Sequence, residues 1–197
     1  MGFNVVDFGS KGPRISGFGP VPKQLYRYLD TNGDGTGTKN AIGDYSATET
    51  IFKIEPPAGE VYRIEKVVVF LRGPKADIDL DDYGKNNVLA NGIVVRVCNT
   101  NGPVIEYTDG ISIKRWADWA KVGAQIAVPA SEASDYRTDK IFDARWFFPE
   151  VEGYPLRLVG DRGERFEFVL NDNFSGAINI SEHYFIVFGH IEEINGD

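Results

Sequence analysis

The residues best equipped for chemistry are Asp30-Thr31-Asn32-Gly33-Asp34-Gly35-Thr36, where oxygen-bearing side chains recur at alternate positions ahead of a glycine. That is the pattern of the first half of a calcium loop, which makes Asp30, Asn32 and Asp34 the candidate metal ligands and Ca2+ the one cofactor the sequence suggests. A hard cation takes about six to eight oxygens. The position of the closing bidentate glutamate is Ala41, so Asp44 or backbone carbonyls would have to complete the shell. The same residues also suit an Asp/Asn/Gly-rich surface loop that binds nothing.

Other chemical groups fail on number or spacing. Ala76 to Asp82 places Asp77, Asp79 and Asp81 on one side of an extended segment, as cation ligands or the two acids of a glycosidase would require. Nothing beside them would raise one carboxyl pKa while keeping another ionised, and a charged strand edge that resists aggregation is the simpler reading. His183 and His190 are the only histidines, seven residues apart on one expected strand. An odd offset turns them to opposite faces, so without a bulge they cannot share a metal. Cys98 stands alone, and no Gly-x-Ser-x-Gly elbow occurs. The glycine runs at 9–12 and 17–19 follow no strand and open no helix, so they are not phosphate loops. The sequence thus offers no catalytic constellation, and the expectation is a structural or binding protein rather than an enzyme.

These groups sit on 197 residues, a length for one domain that buries roughly 70% of the surface its unfolded chain exposes. The formal net charge of −8 opposes attraction to phosphate backbones and anionic lipid, so neither nucleic acid nor membrane is an expected partner. Met1 to Val6 lacks the basic and apolar regions of a signal peptide, and Val6 breaks a myristoylation motif. A soluble protein folding in a reducing cytosol is the expectation, the single cysteine allowing no intrachain disulfide.

Residues 1–27 read as an extended Gly/Pro-rich arm, in which Lys11, Arg14, Lys23 and Arg27 face only Asp7, a basic tail on an acidic body. Residues 28–197 read as the folded domain. Thr50 to Ile54 and Val61 to Leu71 are strand signals around the turn Pro56-Pro57-Ala58-Gly59 and are expected to pair as a hairpin. Ile93 to Cys98 and Val104 to Tyr107 flank Asn101-Gly102, a second hairpin. Lys114 to Val122 is the one helical patch, with Trp116 and Trp119 on one face and Gly123 as its stop. Further strands are expected at 111–113, 141–148, 155–159, 165–170 and 183–194. Tyr184 to Phe188 is apolar at every position, so that strand should be central or turn its outer face to another chain. Eight to ten short strands with one short helix predict an all-β fold, a β-sandwich or jelly roll.

Tyr28-Leu29-Asp30, Gly33-Asp34-Gly35, Thr38 to Ser46, Phe52-Lys53-Ile54, Pro57-Ala58-Gly59-Glu60 and Tyr62-Arg63-Ile64 resemble a group of virion proteins of tailed bacteriophages. Asn91-Gly92-Ile93, Thr108-Asp109-Gly110, Ala117-Asp118-Trp119, Arg145-Trp146 and Leu170-Asn171-Asp172 are similar to the same pattern, which runs from about residue 26 to residue 190. The resemblance implies a β-sandwich that assembles on the particle and carries no catalytic residues across. The leading expectation is therefore a homo-oligomeric capsid decoration (cement) protein of the virion, assembled in the host cytoplasm and bound to the major capsid protein or other virion proteins. A neck or tail ring of the same virion is the alternative. A glycan-binding module using surface tryptophans and calcium is another. The expected interaction residues are Lys11 and Arg14 on the arm and Trp116 and Trp119 in the aromatic patch, although aromatics of a β-sandwich first belong in its core or over its edge.

Overall fold

A computed structural model describes residues 22–74, 80–83, 88–108, 112–127, 139–175 and 180–193. Ten strands make two antiparallel sheets: β1 (Lys23–Tyr28), β2 (Thr50–Ile54), β3 (Glu60–Pro74), β4 (Ile93–Asn99), β5 (Gly102–Glu106), β6 (Gln125–Ala127), β7 (Asp139–Phe147), β8 (Leu156–Val159), β9 (Arg165–Leu170) and β10 (Glu182–Glu193). One sheet runs β1-β10-β3-β7-β6, with β8 also paired to β3, and the other runs β2-β9-β4-β5. The pairs are nested: β1 with β10, β2 with β9, β3 with β7 and β8, β4 with β5. This is one long hairpin rolled up on itself, the jelly-roll form of the sandwich.

The nesting corrects one expectation. β2 and β3 do not form a hairpin, because β2 lies in the other sheet against β9 while β3 takes β10. The intervening Pro56 and Pro57 lack the N–H groups of a tight antiparallel turn, and the segment carries the chain from one sheet to the other. The β4–β5 hairpin does form, closed by Thr100-Asn101 with Gly102 at φ 117° as its first paired residue.

The core lies between the sheets. Phe52, Phe166 and Phe168 from one meet Val67, Trp146 and Phe185 from the other, with Phe168 stacked on Phe185 at 4.1 Å between ring centroids. On β10 the odd residues His183, Phe185, Val187 and Ile191 point inward. β3 changes parity along its length, with Tyr62 and Ile64 buried before Glu65 and Val67, Val69 and Leu71 after it. Glu65 is the extra residue of a bulge opposite Phe188/Gly189. Only glycine fits at 189, since a Cβ there would stand 1.9 Å from the Arg63 carbonyl oxygen.

The helical patch is a 3-10 helix, Trp116–Val122, rather than an α-helix. Three residues per turn put Trp116, Trp119 and Val122 in one line, and all three are buried. The Asp118 carboxylate accepts the Lys114 and Arg115 N–H groups at its start, and Gly123 in the left-handed region ends it. The only α-turn among the described residues, α1 (Phe148–Val151), turns the chain from β7 to β8. Both strands therefore share one edge of the 15-residue β3. Of the expected arm, Lys23 to Arg27 lie in β1 with Leu25 buried, so the folded domain begins before residue 28. Lys11 and Arg14 lie outside the described residues.

Candidate functional site

The jelly roll leaves two outward sheet faces, and β-strand alternation decides what each presents. On the six-stranded sheet, the cross-strand row Tyr26, Phe188, Lys66, Phe147 lies beside the row Tyr28, Ile186, Val68, Arg145, followed by Tyr184, Phe70, Asp143. Tyr26 is 59% exposed and the other apolar members are half-buried. They touch one another, with ring centroids 5.1 Å apart for Tyr26–Phe188, 5.3 Å for Tyr28–Tyr184 and 6.2 Å for Phe70–Tyr184. The Lys66 ammonium rests over the Phe188 ring at 4.0 Å. Ion pairs rim this patch, Arg63–Glu192 at 2.6 Å, Arg72–Glu182 at 3.1 Å and Arg145–Asp143 at 2.6 Å, with the His190 ring 3.2 Å from Glu65 beside them. An apolar aromatic centre inside a charged rim is the anatomy of a protein interface.

The four-stranded sheet presents charge beside a single apolar row, Ile51, Val169 and Val94. Lys53, Glu167, Arg96 and Glu106 form one cross-strand row. Glu167 is 1% exposed, bonded by Arg96 at 2.8 Å, Arg165 at 2.5 Å and the Cys98 thiol at 3.3 Å. Burial works to raise its carboxyl pKa, but those three donors outweigh burial and hold it below the usual carboxylate range. Burial, and then Glu167, push the Cys98 thiol up, so it is a donor and not a nucleophile. An open depression of about 470 Å³ lies here, lined by Thr31, Glu49, Lys53, Glu55, Arg165 and Glu167 among others. Its cations already answer its carboxylates, Lys53 reaching Glu55 at 3.5 Å.

The Asp30 loop borders this depression. Asp30 is fully buried and fixed at both backbone ends to Lys53, N to O at 3.1 Å and O to N at 2.9 Å. Its Oδ1 accepts the N–H groups of Asn32 at 2.8 Å and Gly33 at 2.5 Å, while its Oδ2 is buried without a partner. Asn32 and Asp34 are exposed, and both turn to Thr36: Asn32 Nδ2 donates to its hydroxyl at 3.0 Å, and Asp34 Oδ1 accepts its N–H at 2.9 Å and its hydroxyl at 2.6 Å. The three expected ligands thus share one loop. Asp44 is engaged elsewhere, bridging Asn173 through its backbone and accepting from Ser46. Among the described residues no three His, Cys, Asp or Glu side chains gather as a metal cluster.

Of the two tryptophan readings, core filling holds and the contact role is corrected. Trp116 and Trp119 are 0% and 1% exposed, packed on Phe142 and Phe168 respectively. Their indoles fill the end of the sandwich, where large aromatics bury most, so they form neither a contact patch nor the sugar platform of a glycan-binding module. The segments around Gly92 and Asp172 meet instead in a structural knot, where the Asp172 carboxylate accepts the N–H groups of Ala90 at 2.9 Å and Gly92 at 2.6 Å.

His183 and His190 face opposite ways, as their spacing predicts. His190 joins the charged rim. His183 is sealed in the core, its Nε2 2.9 Å from the Tyr83 hydroxyl and its ring stacked on Phe174, and burial pushes its pKa down to about 3. A neutral imidazole closed off from solvent packs rather than catalyses. Asp77 and Asp79 lie outside the described residues, and Asp81 is at the surface. No helix among the described residues is long and apolar enough to cross a membrane.

Of the outward sheet face the sequence shows only the all-apolar run of β10, which does lie centrally between β1 and β3. The rest of the face comes from the apolar run Val67–Leu71 and from Tyr26 and Tyr28 at strand spacing, which only strand pairing assembles with it into one patch. No known protein family model, curated protein or solved structure matches this chain.

Proposed function

We propose that this chain is a structural virion protein of a tailed bacteriophage, a capsid decoration (cement) protein that binds the major capsid lattice through the outer face of its six-stranded sheet. The observation that carries the reading is that face, where Tyr26, Phe70, Tyr184 and Phe188 stand partly exposed inside a rim of ion pairs. A chain acting alone gains nothing by leaving such a surface in water. Two further supports are the resemblance of the loop and strand motifs to phage virion proteins and the jelly-roll topology, which recurs in capsid proteins by fold analogy. The net charge of −8 points to a protein lattice rather than to nucleic acid. Partner copies of this chain around a capsid junction would make the working form a homo-oligomer.

The test is cryo-electron microscopy of intact particles with wild-type chain and with the double substitution Phe70→Ser, Phe188→Ser. Hundreds of copies on the head, lost in the double variant while its circular dichroism stays unchanged, is the expected result. A ring of about six or twelve copies at the neck or tail would replace decoration with the adaptor reading. Full occupancy by the double variant would remove this face from the mechanism.

A further inference from the structure

We propose that the loop from Asp30 to Thr36 is a divalent-cation site of the calcium class, for which Asp30 Oδ2, Asn32, Asp34 and the Thr36 carbonyl supply protein oxygens. The pointer is Asp30 Oδ2, a carboxylate oxygen sealed from water and bonded to nothing. A buried carboxylate left half-satisfied is costly, and a missing ion is one of the few explanations open to it. It cannot swing out to solvent, because both backbone ends of Asp30 are pinned to Lys53 and its Oδ1 is held by the Asn32 and Gly33 N–H groups. It is aimed into the loop. A Cβ built on Gly35, which sits at φ 93°, would stand 3.9 Å from it, with the Arg27 Nε 3.7 Å from the same point.

The rest of the loop keeps oxygens uncommitted. Asn32 spends its amide N–H on Thr36, which leaves its carbonyl oxygen available, and Asp34 spends Oδ1 on Thr36, which leaves Oδ2. The three side chains and Thr36 occupy the first, third, fifth and seventh positions of a calcium loop. Two features set the affinity low. The closing glutamate is replaced by buried Ala41, so water must fill the remaining coordination. Arg27 is also close, its Nε 3.7 Å from the same Gly35 position, and it offsets part of the loop's negative charge. Affinity should fall in the weakest range of protein calcium sites, a Kd of roughly 10⁻⁴ to 10⁻³ M. Magnesium should bind less well, since it demands near-ideal octahedral geometry and gives up its water reluctantly.

Arg27 is also the rival explanation, because its guanidinium could close on Asp30 Oδ2 with no ion present. Isothermal titration calorimetry and thermal unfolding of the full chain, with CaCl2 raised to about 10 mM at constant ionic strength, separate the two over that affinity range. The expected result is saturable heat with Ca2+, a Tm that rises with it, a smaller response to Mg2+, and at least tenfold weaker binding in Asp34→Ala. Asp34 is exposed, so that variant should fold even where Asp30→Asn does not. Arg27→Gln should bind Ca2+ several-fold more tightly. A wild-type chain that gives no heat and no Tm rise, or an Asp34→Ala variant that responds as wild type does, overturns the proposal in favour of an Asp30–Arg27 pair.

Discussion

The two outward faces of this sandwich meet the same solvent with different chemistry. On the four-stranded sheet a buried Glu167 is matched by Arg96 and Arg165, Lys53 reaches Glu55, and the apolar residues Ile51, Val169 and Val94 form one row without aromatic rings. On the six-stranded sheet the matching charges are pushed to the rim, and the middle holds tyrosine and phenylalanine rings whose contacts with one another leave their outer surfaces uncovered. Antiparallel sheets ordinarily keep one face packed and the other polar. The first sheet stays nearer that rule by pairing its charges, and the second departs further from it by placing aromatic rings at its centre. A face whose charges are matched within the chain stabilises the fold, whereas the uncovered aromatic face is where the proposed partner would be added.

Substituting one residue on each face separates these roles. Glu167→Gln strands two guanidinium groups against a buried neutral amide. Breaking a buried pair by removing one partner costs about 3–5 kcal/mol, and since Arg96 and Arg165 keep about a quarter of their side chains exposed, the expected loss is nearer 2–3 kcal/mol in urea unfolding. Phe188→Ser on the other face should cost roughly 1 kcal/mol of stability, because the ring is only half-buried, yet it should remove most of the affinity for the partner surface. If Phe188→Ser destabilises the chain more than Glu167→Gln, the aromatic face belongs to the fold and the contrast between the faces collapses.

How far this contrast could be read from the residues depends on what each residue needed to be understood. Strand alternation and turn chemistry are local, so β9 falls at its expected limits, β10 within one residue of them, and the His183/His190 opposition follows from counting. Which strands pair is not local. The β2–β3 hairpin was the natural local reading, and it fails because a rolled hairpin joins the ends of the chain first, β1 to β10 and β2 to β9. The aromatic face suffered the same way, its members being scattered over β1, β3, β7 and β10 until register brings Tyr26, Phe188 and Phe147 into one row. Trp116 and Trp119 illustrate a different gap: their i, i+3 spacing announces a shared side but not whether that side faces water. The Asp30 loop was legible as a pattern of oxygens, while its unpartnered buried atom appears only in three dimensions.

The two faces of β10 also divide by pH. His183 lies on the inward face, and its folded pKa near 3 stands below the roughly 6.5 of an unfolded imidazole. Between those values the unfolded chain binds more protons, so stability is intact above about pH 6.5 and falls as pH drops toward 3, by up to about 1.4 kcal/mol per unit. Glu167 and Asp118 are held below the usual carboxylate range, so their contributions are present above about pH 4.5 and are lost only as pH falls through their folded values. The difference between the wild-type chain and His183→Leu across the window from pH 6.5 to 5 therefore isolates His183. Urea midpoints measured across it should decline more steeply for the wild-type chain than for His183→Leu. A wild-type decline no steeper than the variant's across that window would mean the imidazole is not sealed in the core.

The smallest effect tests how the open face tolerates water at all. Lys66 sits between Phe188 at 4.0 Å and Phe147 at 5.9 Å, a cation held over two rings at the centre of the apolar rows. At a partly exposed site such a contact is worth about 0.5–1 kcal/mol, and the charge also keeps two copies of the face from sticking together indiscriminately. Lys66→Met should therefore change stability by less than about 1 kcal/mol while raising self-association, which sedimentation velocity across a concentration series would detect. Partner binding should persist, because the rings that supply the contact area remain. A Lys66→Met chain that stays as monodisperse as wild type would show that the rim ion pairs alone keep the face soluble, and that the lysine contributes only its packing.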